Sequence, residues 1–398
     1  MDNSKQQKIL SEVLPKAIWE GEPFWGAWYT EEEIEAVVRV MRNSVHWNAS
    51  PSKEIVRFEE AFAEYVGVNY ALAINGAGTG LDMAVRCLSP EPGDEIISCA
   101  INFPGTHLAI IGQGSKLVIA EPDPKTFNID PEDVKKRITP KTRAIVATHM
   151  NGLSVDMEAL LRLAEEYPNP KYGPLKIIGD CSRACGGLYN GERVGKRGWI
   201  NVFSFQRKKP ISTLGEGGMI TTDDVEVYKK IFRWRSFGDG VIWGTNYKMT
   251  HAQAAVGLIQ LRRLDEINKL RIKLANQRTD LLRGIPELRP PHEPKGYKHV
   301  YSYYTLLTFP EWAGRRRDLL IQIMRDKYQV GSIIANPPTY LSNKLIWEHL
   351  KTQRTPLAEE LGARLFCPCL HSLMTNKENE YVVAALAATV DEIKKQDN

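Results

Sequence analysis

The segment YALAINGAGTGLDMAVRCL, residues 70–88, joins an apolar run to an amphipathic run through a glycine-rich turn. YALAI has the length and composition of a buried strand, whereas LDMAVRCL has its apolar residues at helical spacing. The segment therefore predicts one strand followed directly by one helix. The same alternation continues to about residue 235, and strands that alternate with helices indicate a mostly parallel sheet covered by helices on both faces.

Further strands and helices are predicted along the rest of the chain. The strands are EIISCA (95–100), RAIVATH (143–149), LKIIGD (175–180), WINVFSF (199–205) and GMITT (218–222), and the helices are PGTHLAII (104–111), MEALLRLAEEY (157–167) and VEVYKKIFRWR (225–235). Residues 254–285 predict one long helix or two in sequence, after which mixed strand and helix signals resume. We expect an N-terminal arm over residues 1–35, a large domain over 36–270 and a smaller α/β domain over 271–398.

The composition narrows the classes of partner. The 398 residues include 52 Lys and Arg and 48 Asp and Glu. This near balance of charge argues against a nucleic-acid or membrane surface and favours a small, modestly polar substrate. The N-terminus lacks a signal-peptide pattern, and no window approaches eighteen apolar residues, so we expect a soluble, cytoplasmic protein. The six cysteines show no paired CxxC spacing, so we expect free thiols and no metal site.

Two charged residues are predicted to lie at carboxyl ends of strands, where ligands of such sheets bind. Asp180 closes the strand LKIIG, and Lys209 follows WINVFSF. Each has an ordinary interpretation by itself, Asp180 as a helix cap or turn residue and Lys209 as a solvated loop charge. In one crevice, however, they supply what a pyridoxal cofactor needs, an amine for a Schiff base and a carboxylate that keeps the ring nitrogen protonated.

Neighbouring residues suit the rest of such a cofactor. Ser204 offers a hydroxyl to a phosphate, and the turn in residues 74–85 opens a helix whose free N–H groups form an anion site. A dinucleotide site would require an acidic residue at the end of the next strand, which instead reads ISCAIN. The turn is therefore predicted to bind one phosphate. Phe103 either lies flat against the cofactor ring or caps the sheet as a core aromatic.

With these residues placed, the chain from about residue 22 to its end resembles the fold-type-I, pyridoxal-phosphate-dependent aminotransferases of the DegT type, which aminate keto-sugars and keto-cyclitols. The motifs that carry the resemblance are NGAGTGLDMAVRCL, PGDEIISCAINFPGT, GDCSRACGG, FSFQRKKPISTLGEGGMITT and TNYKMTHAQAAVGLIQLRRLDE. The resemblance implies a large domain with a mostly parallel, mixed sheet and a smaller C-terminal α/β domain.

The resemblance also implies roles for individual residues. Lys209 corresponds to the lysine that forms the Schiff base, Asp180 to the carboxylate on the pyridine nitrogen and Phe103 to the stacking aromatic. Asn246 matches the asparagine that reaches the phosphate from the partner subunit, which implies a homodimer with shared active sites. The phosphate contacts within the chain correspond to Gly78, Thr79 and Ser204.

The chain departs from the family pattern near the cofactor. Arg183, which is counted among the predicted cofactor-binding residues, replaces the usual Gln or His and is expected either to pair with an anionic substrate group or to turn away. Arg207 and Lys208 replace small or polar residues, and Pro210 replaces the usual Asn after the lysine. A cation at Lys208 would depress the pKa of the neighbouring amine, although the side chain also fits a purely solvated position.

The implied activity is transfer of an amino group from L-glutamate or L-glutamine to a ketone of a cyclitol or sugar, as in secondary-metabolite or polysaccharide precursor biosynthesis. GDCSRACGG and GEGG look closer to the branch that acts on aminocyclitol and aminohydroxybenzoate precursors. Three alternatives stay open, a pyridoxamine-dependent sugar dehydratase, a nicotinamide-dependent oxidoreductase that uses the glycine-rich turn, and a non-catalytic relative that keeps the cofactor as a ligand.

Overall fold

The computed structural model describes residues 3–12, 28–45 and 53–396, so part of the predicted N-terminal arm lies outside the described residues. The strands are β1 (Tyr70–Ile74), β2 (Glu95–Cys99), β3 (Lys116–Ala120), β4 (Thr142–Thr148), β5 (Lys176–Asp180), β6 (Leu188–Tyr189), β7 (Glu192–Arg193), β8 (Ile200–Ser204), β9 (Gly218–Thr222), β10 (Leu288–Arg289), β11 (Tyr297–Lys298), β12 (Leu306–Thr308), β13 (Ser332–Ile333) and β14 (Leu365–Pro368).

Helices follow most strands of the large domain and dominate the C-terminal third. They are α1 (Asn3–Glu12), α2 (Glu31–Ser44), α3 (Glu54–Val66), α4 (Ala77–Cys87), α5 (Pro104–Gly112), α6 (Pro131–Arg137), α7 (Met157–Glu166), α8 (Val225–Trp234), α9 (His251–Leu282), α10 (Arg315–Tyr328), α11 (Thr339–Ser342), α12 (Lys344–Leu350), α13 (Pro356–Arg364) and α14 (Asn376–Lys395). Within the described part of the chain, no helix combines the length and the apolar character that crossing a membrane requires.

A large mixed sheet, with seven strands among the described residues, carries the main core. Its order is β1-β9-β8-β5-β4-β2-β3, and the strands from β3 to β8 pair in parallel whereas β9 runs antiparallel to both β8 and β1. Every residue of β2, β4, β8 and β9 is buried, as expected of strands covered by helices on both faces. The predicted α/β fold with a mostly parallel sheet is confirmed.

A second core lies in the C-terminal third. It surrounds the small sheet β10-β12-β14-β13 and is built from the end of α9 together with α10 and α14. Helix α1 also packs here, where Gln6 donates a hydrogen bond to the Ala384 carbonyl. Helices α11 to α13, by contrast, contribute side chains to the core of the large sheet. The division of the chain near residue 270 stays a prediction.

Helix α9 is one continuous helix of 32 residues, which decides between the two possibilities that the sequence left open. It begins at His251, three residues before the predicted start, because Thr250 caps it. The Thr250 side chain accepts a hydrogen bond from the Gln253 amide, and the Gln253 side chain accepts one from the Thr250 amide. This reciprocal pair satisfies donors that the first helical turn leaves free.

Gly218 holds the start of β9 against the glycine-rich turn. A Cβ atom on Gly218 would stand 2.8 Å from the Phe203 carbonyl oxygen and 3.0 Å from the Ala77 amide nitrogen. Both neighbours are backbone atoms, which cannot rotate away. The glycine at residue 218 therefore lets the start of β9 and the start of α4 approach each other.

We expect Gly218→Ala to lower the free energy of unfolding by about 1–3 kcal/mol, because the added methyl group overpacks two backbone segments. Gly112→Ala is the matched control, since Gly112 is an exposed helical residue and a Cβ atom on it would have nothing within 4 Å. Urea denaturation of both variants measures the difference. Equal unfolding midpoints for the two variants would contradict the argument.

Candidate active site

The carboxyl ends of β4, β5 and β8 open into one cavity of about 610 Å³. The strands that form its floor are in parallel register, with Thr148 opposite Asp180 and Asp180 opposite Val202. The cavity is closed on its other side by residues from the C-terminal third of the chain. Its lining includes the side chains and backbone of Gly76, Ala77, Gly78, Phe103, Thr148, Asp180, Arg183, Ser204, Arg207, Lys208, Lys209, Glu216, Tyr303, Ile333, Ile334, Ala335 and Asn336.

Asp180 is buried at the end of β5, and its carboxylate is held by two donors. The Thr106 hydroxyl donates to Oδ2 at 2.8 Å, and the Ser182 amide donates to Oδ1 at 3.1 Å. Thr106 lies in the first turn of α5, in the motif NFPGTH that follows β2. Its contact with Asp180 was not predicted, because the two residues are 74 positions apart and meet only through the sheet. These bonds fix the carboxylate at the cavity wall.

Lys209 lies in the loop that follows β8 and lines the cavity. Its backbone amide donates to the Gln206 carbonyl at 2.9 Å, which turns the chain directly after the strand. Desolvation, assisted by the positive charge of Arg183, lowers the pKa of the Lys209 amine to about 7, whereas the charges of Asp180 and Glu216 oppose the shift. Lys208 also lowers this pKa, but contributes less than Arg183 does. About half of the amine is therefore in the neutral, nucleophilic form near pH 7.

The residues predicted to hold a phosphate separate into two groups. Gly78, in the first turn of α4, and Ser204, the last residue of β8, both line the cavity. Thr79 is partly buried and is not part of the cavity lining. Because α4 has eleven residues and begins at the cavity, its N-terminal amide groups present partial positive charge to this end of the site.

The two remaining predicted cofactor contacts differ in position. Phe103 is 58% exposed and lines the cavity, so it is not a core aromatic. Asn246 is exposed and lies outside the cavity of its own chain, in a segment that pairs with Ser236. Within one subunit, the structure therefore brings Lys209, Asp180 and Phe103 together but not Asn246.

Two residues on the wall of the cavity that comes from the C-terminal third, Tyr303 and Asn336, were not among the predicted site residues. The Tyr303 ring lies beside Arg183, with the guanidinium carbon 4.5 Å from the ring centroid. Asn336 accepts a hydrogen bond from Arg183 Nη2 at 3.0 Å. Neither residue belongs to a recognisable motif. The only local signal is the composition of the segment around Asn336, which is rich in turn-forming residues.

The lining fits pyridoxal phosphate. Four groups share one cavity: the Lys209 amine with its lowered pKa, the hydrogen-bonded carboxylate of Asp180, the exposed ring of Phe103 and the free amide groups at the start of α4. These are the groups that the covalent attachment, the ring nitrogen, the ring face and the phosphate of this cofactor require. No cluster of three or more metal-ligating side chains occurs in the described ranges.

Comparisons with known proteins agree with this chemistry. Residues 28–387 match the model of the DegT/DnrJ/EryC1/StrS aminotransferase family. The chain is 33% identical to the GDP-perosamine synthase of Caulobacter vibrioides over 85% of this chain and 91% of that protein. It is 31% identical to the dTDP-3-amino-3,4,6-trideoxy-alpha-D-glucose transaminase of Streptomyces venezuelae over 84% of this chain and 86% of that protein.

Solved structures show the same fold. DesV of S. venezuelae superposes with a TM-score of 0.82 at 29% identity, and the match covers 90% of this chain and 94% of that one. An aminotransferase of Psychrobacter cryohalolentis superposes with a TM-score of 0.84 at 27% identity over 94% of this chain and all of that one. The likeness therefore includes both the large sheet and the C-terminal third.

The pKa of Lys209 predicts how the cofactor-free protein captures pyridoxal phosphate. Because the neutral amine is the reactive form, the rate of covalent capture should rise with pH and level off above about pH 7. Arg183→Gln should move this midpoint to higher pH, since the variant removes a positive charge that disfavours the ammonium form. Stopped-flow absorbance with excess pyridoxal phosphate measures the rate, and Nα-acetyl-lysine serves as the free-amine reference.

Lys208→Gln is the control variant, because Lys208 contributes less than Arg183 to the low pKa of Lys209. Its midpoint should move less than that of Arg183→Gln. A wild-type rate that keeps rising toward pH 10, as the rate of the reference amine does, would show that Lys209 is not desolvated.

Proposed function

The chain belongs to the DegT/DnrJ/EryC1/StrS aminotransferase family, and from that premise we propose that it transfers an amino group from L-glutamate or L-glutamine to a ketone of a sugar. The chain is a pyridoxal-phosphate-dependent aminotransferase. The observation that carries the proposal is the shared cavity of Lys209, Asp180 and Phe103. The related proteins named above make GDP-linked or dTDP-linked amino sugars according to their names, which supports a sugar acceptor. An acceptor of the cyclitol class stays a prediction.

Each residue has a part in this reaction. When bound, pyridoxal phosphate supplies an electron-accepting ring that carries the amino group between the two half-reactions. Lys209 Nζ would hold the cofactor covalently and, as a free amine, would take the α-proton of the donor. Asp180 would keep a proton on the ring nitrogen, and Phe103 would cover one face of the ring. Gly78, Ser204 and the α4 amides would bind the phosphate, and the phosphate contact of Thr79, which lies outside the cavity lining, stays a prediction.

The alternatives have less support. A pyridoxamine-dependent dehydratase would typically carry histidine in place of Lys209. An oxidoreductase would need a carboxylate after β2 to hold a ribose, and residues 97–102 contain none. A non-catalytic relative has no need of an amine with a pKa of about 7. The cytoplasmic location stays a prediction.

The first test of the function follows the visible absorption band of the bound cofactor. We expect L-glutamate or L-glutamine to bleach the band of the wild-type protein and a keto-sugar to restore it. Lys209→Ala should abolish the band, whereas Lys208→Ala should keep it, because the spacing from Ser204 selects Lys209. If the Lys208 variant lost the band and the Lys209 variant kept it, the assignment would be wrong.

Asp180→Asn adds a matched variant to the same experiment. It should still bind the cofactor, but the band should bleach at least about tenfold more slowly, because a ring without a proton on its nitrogen is a poor electron acceptor. Wild-type bleaching in this variant would remove Asp180 from the mechanism. A wild-type protein that no amino donor bleaches would refute the aminotransferase proposal itself.

We further infer a homodimer in which Asn246 completes the site of the partner subunit. Asn246 is exposed and outside its own cavity. Three large apolar side chains in the preceding segment are also exposed, with Phe237 at 64%, Val241 at 69% and Trp243 at 64%. An exposed apolar patch of this kind marks an interface between proteins. Pairing two such patches would bring each Asn246 toward the other subunit.

Mixing two inactive variants tests the shared site. Lys209→Ala and Asn246→Ala subunits, refolded together in equal amounts, should form hybrid dimers with one complete site each, which gives about a quarter of the wild-type rate. Each variant refolded alone is the control. If Asn246 acted within its own chain, mixing would restore nothing.

A further inference from the structure

Arg183 is a buried cation without a carboxylate partner among the described residues. It lines the same cavity as Lys209, and only 6% of its surface is exposed. A buried guanidinium normally sits beside a carboxylate, because the desolvated charge is otherwise costly. The nearest acidic residue along the chain, Asp180, directs its carboxylate to Thr106 and Ser182 instead.

The guanidinium group of Arg183 is held in place, but only some of its N–H groups have a hydrogen-bond partner. Nη2 donates to Asn336 Oδ1 at 3.0 Å, and the guanidinium carbon lies 4.5 Å from the Tyr303 ring centroid. Nη1 is buried and has no hydrogen-bond partner in the described part of the chain. Both contacts come from the C-terminal third, so they clamp the side chain between the two halves of the cavity. The clamp leaves Nη1 without a hydrogen-bond partner, in a side chain that lines the cavity.

The charges around the cavity favour an anion as that acceptor. Four basic residues line the cavity and two acidic residues oppose them, and one of the acidic residues, Asp180, is already held by donors. The positive charge of Arg183 is strong enough at this depth to lower the pKa of the Lys209 amine. A planar carboxylate suits a fixed guanidinium, because two parallel hydrogen bonds can form. The basic residues are Arg183, Arg207, Lys208 and Lys209, and the acidic residues are Asp180 and Glu216.

We propose that Arg183 is a carboxylate receptor for both substrates, so that the sugar acceptor of this enzyme carries an acidic group. The inference rests on the proposed aminotransferase function. Donor and acceptor occupy the same cavity in turn, and each must satisfy the same buried guanidinium or leave it unpaired. L-Glutamate and L-glutamine bring a carboxylate. A neutral keto-sugar would leave Nη1 without an acceptor, whereas a keto-uronic acid pairs with it.

Binding of an unreactive dicarboxylate tests the receptor without catalysis. Isothermal titration of the cofactor-loaded protein with succinate should show binding, whereas succinamide, its neutral diamide, should bind at least about tenfold more weakly. Arg183→Gln should weaken succinate binding about tenfold to a hundredfold, and Arg183→Lys should weaken it less. Arg207→Gln is the charge-matched control, because Arg207 is only partly buried, and it should change the affinity less than about threefold.

Asn336→Asp tests the same receptor without removal of the arginine. The new carboxylate would pair with Arg183 from within the chain and should weaken succinate binding about tenfold. It provides an independent readout if Arg183→Gln does not fold. Unchanged succinate affinity in both variants would overturn the proposal. Loss of pyridoxal phosphate from Arg183→Gln, with succinate binding retained, would also overturn it, because the arginine would then serve the cofactor.

The acceptor is tested in the second half-reaction. After the donor has bleached the band, a keto-uronic acid should restore it at least about tenfold faster than the matching neutral keto-sugar, and Arg183→Gln should lose this preference. Equal rates for the two acceptors in the wild-type protein would confine the receptor to the donor and overturn the inference about the acceptor. Failure of every donor to bleach the band would instead refute the proposed function, and succinate binding would still report on Arg183.

Discussion

The parallel pairing of β4, β5 and β8 is the constraint on which the site depends. Parallel strands bring their carboxyl ends to one edge of a sheet, and here the register sets Asp180 between Thr148 and Val202. Lys209 follows β8 at the same edge. The antiparallel return of β9 then sets Gly218 against the start of α4, whose first residues line the cavity. One pattern of backbone hydrogen bonds thus gathers residues from distant parts of the sequence.

Three charged groups line the cavity, and the protein balances the charge of each in a different way. The Asp180 carboxylate is satisfied by Thr106 and a backbone amide. The Lys209 amine responds to burial with a pKa of about 7, which suits a nucleophile. The Arg183 guanidinium keeps its charge and is only partly bonded. Unsatisfied groups of this kind lower stability, and proteins tolerate them where a ligand completes them.

Much of the fold could be predicted from local pattern. The apolar runs from YALAI to GMITT form strands of the large sheet, and the predicted mostly parallel architecture is confirmed. Strand β3 and helix α6 were not predicted, and the sequence could not decide whether residues 254–285 form one helix. Tertiary packing favours one continuous helix, because α9 packs against α2, α3 and α14. The roles of individual site residues, including the partner contact of Asn246, stay predictions.

The sequence by itself determined the alternation of most strands and helices of the large sheet, the helical character of residues 254–285 and the spacing from Ser204 to Lys209. These features depend on neighbours along the chain, so they are legible without the fold. Only the tertiary structure decided that Thr106 donates a hydrogen bond to Asp180, 74 residues away, and that Asn336 accepts one from Arg183, 153 residues away. Burial, pKa and hydrogen-bond satisfaction depend on what folding brings close, and no local pattern encodes that.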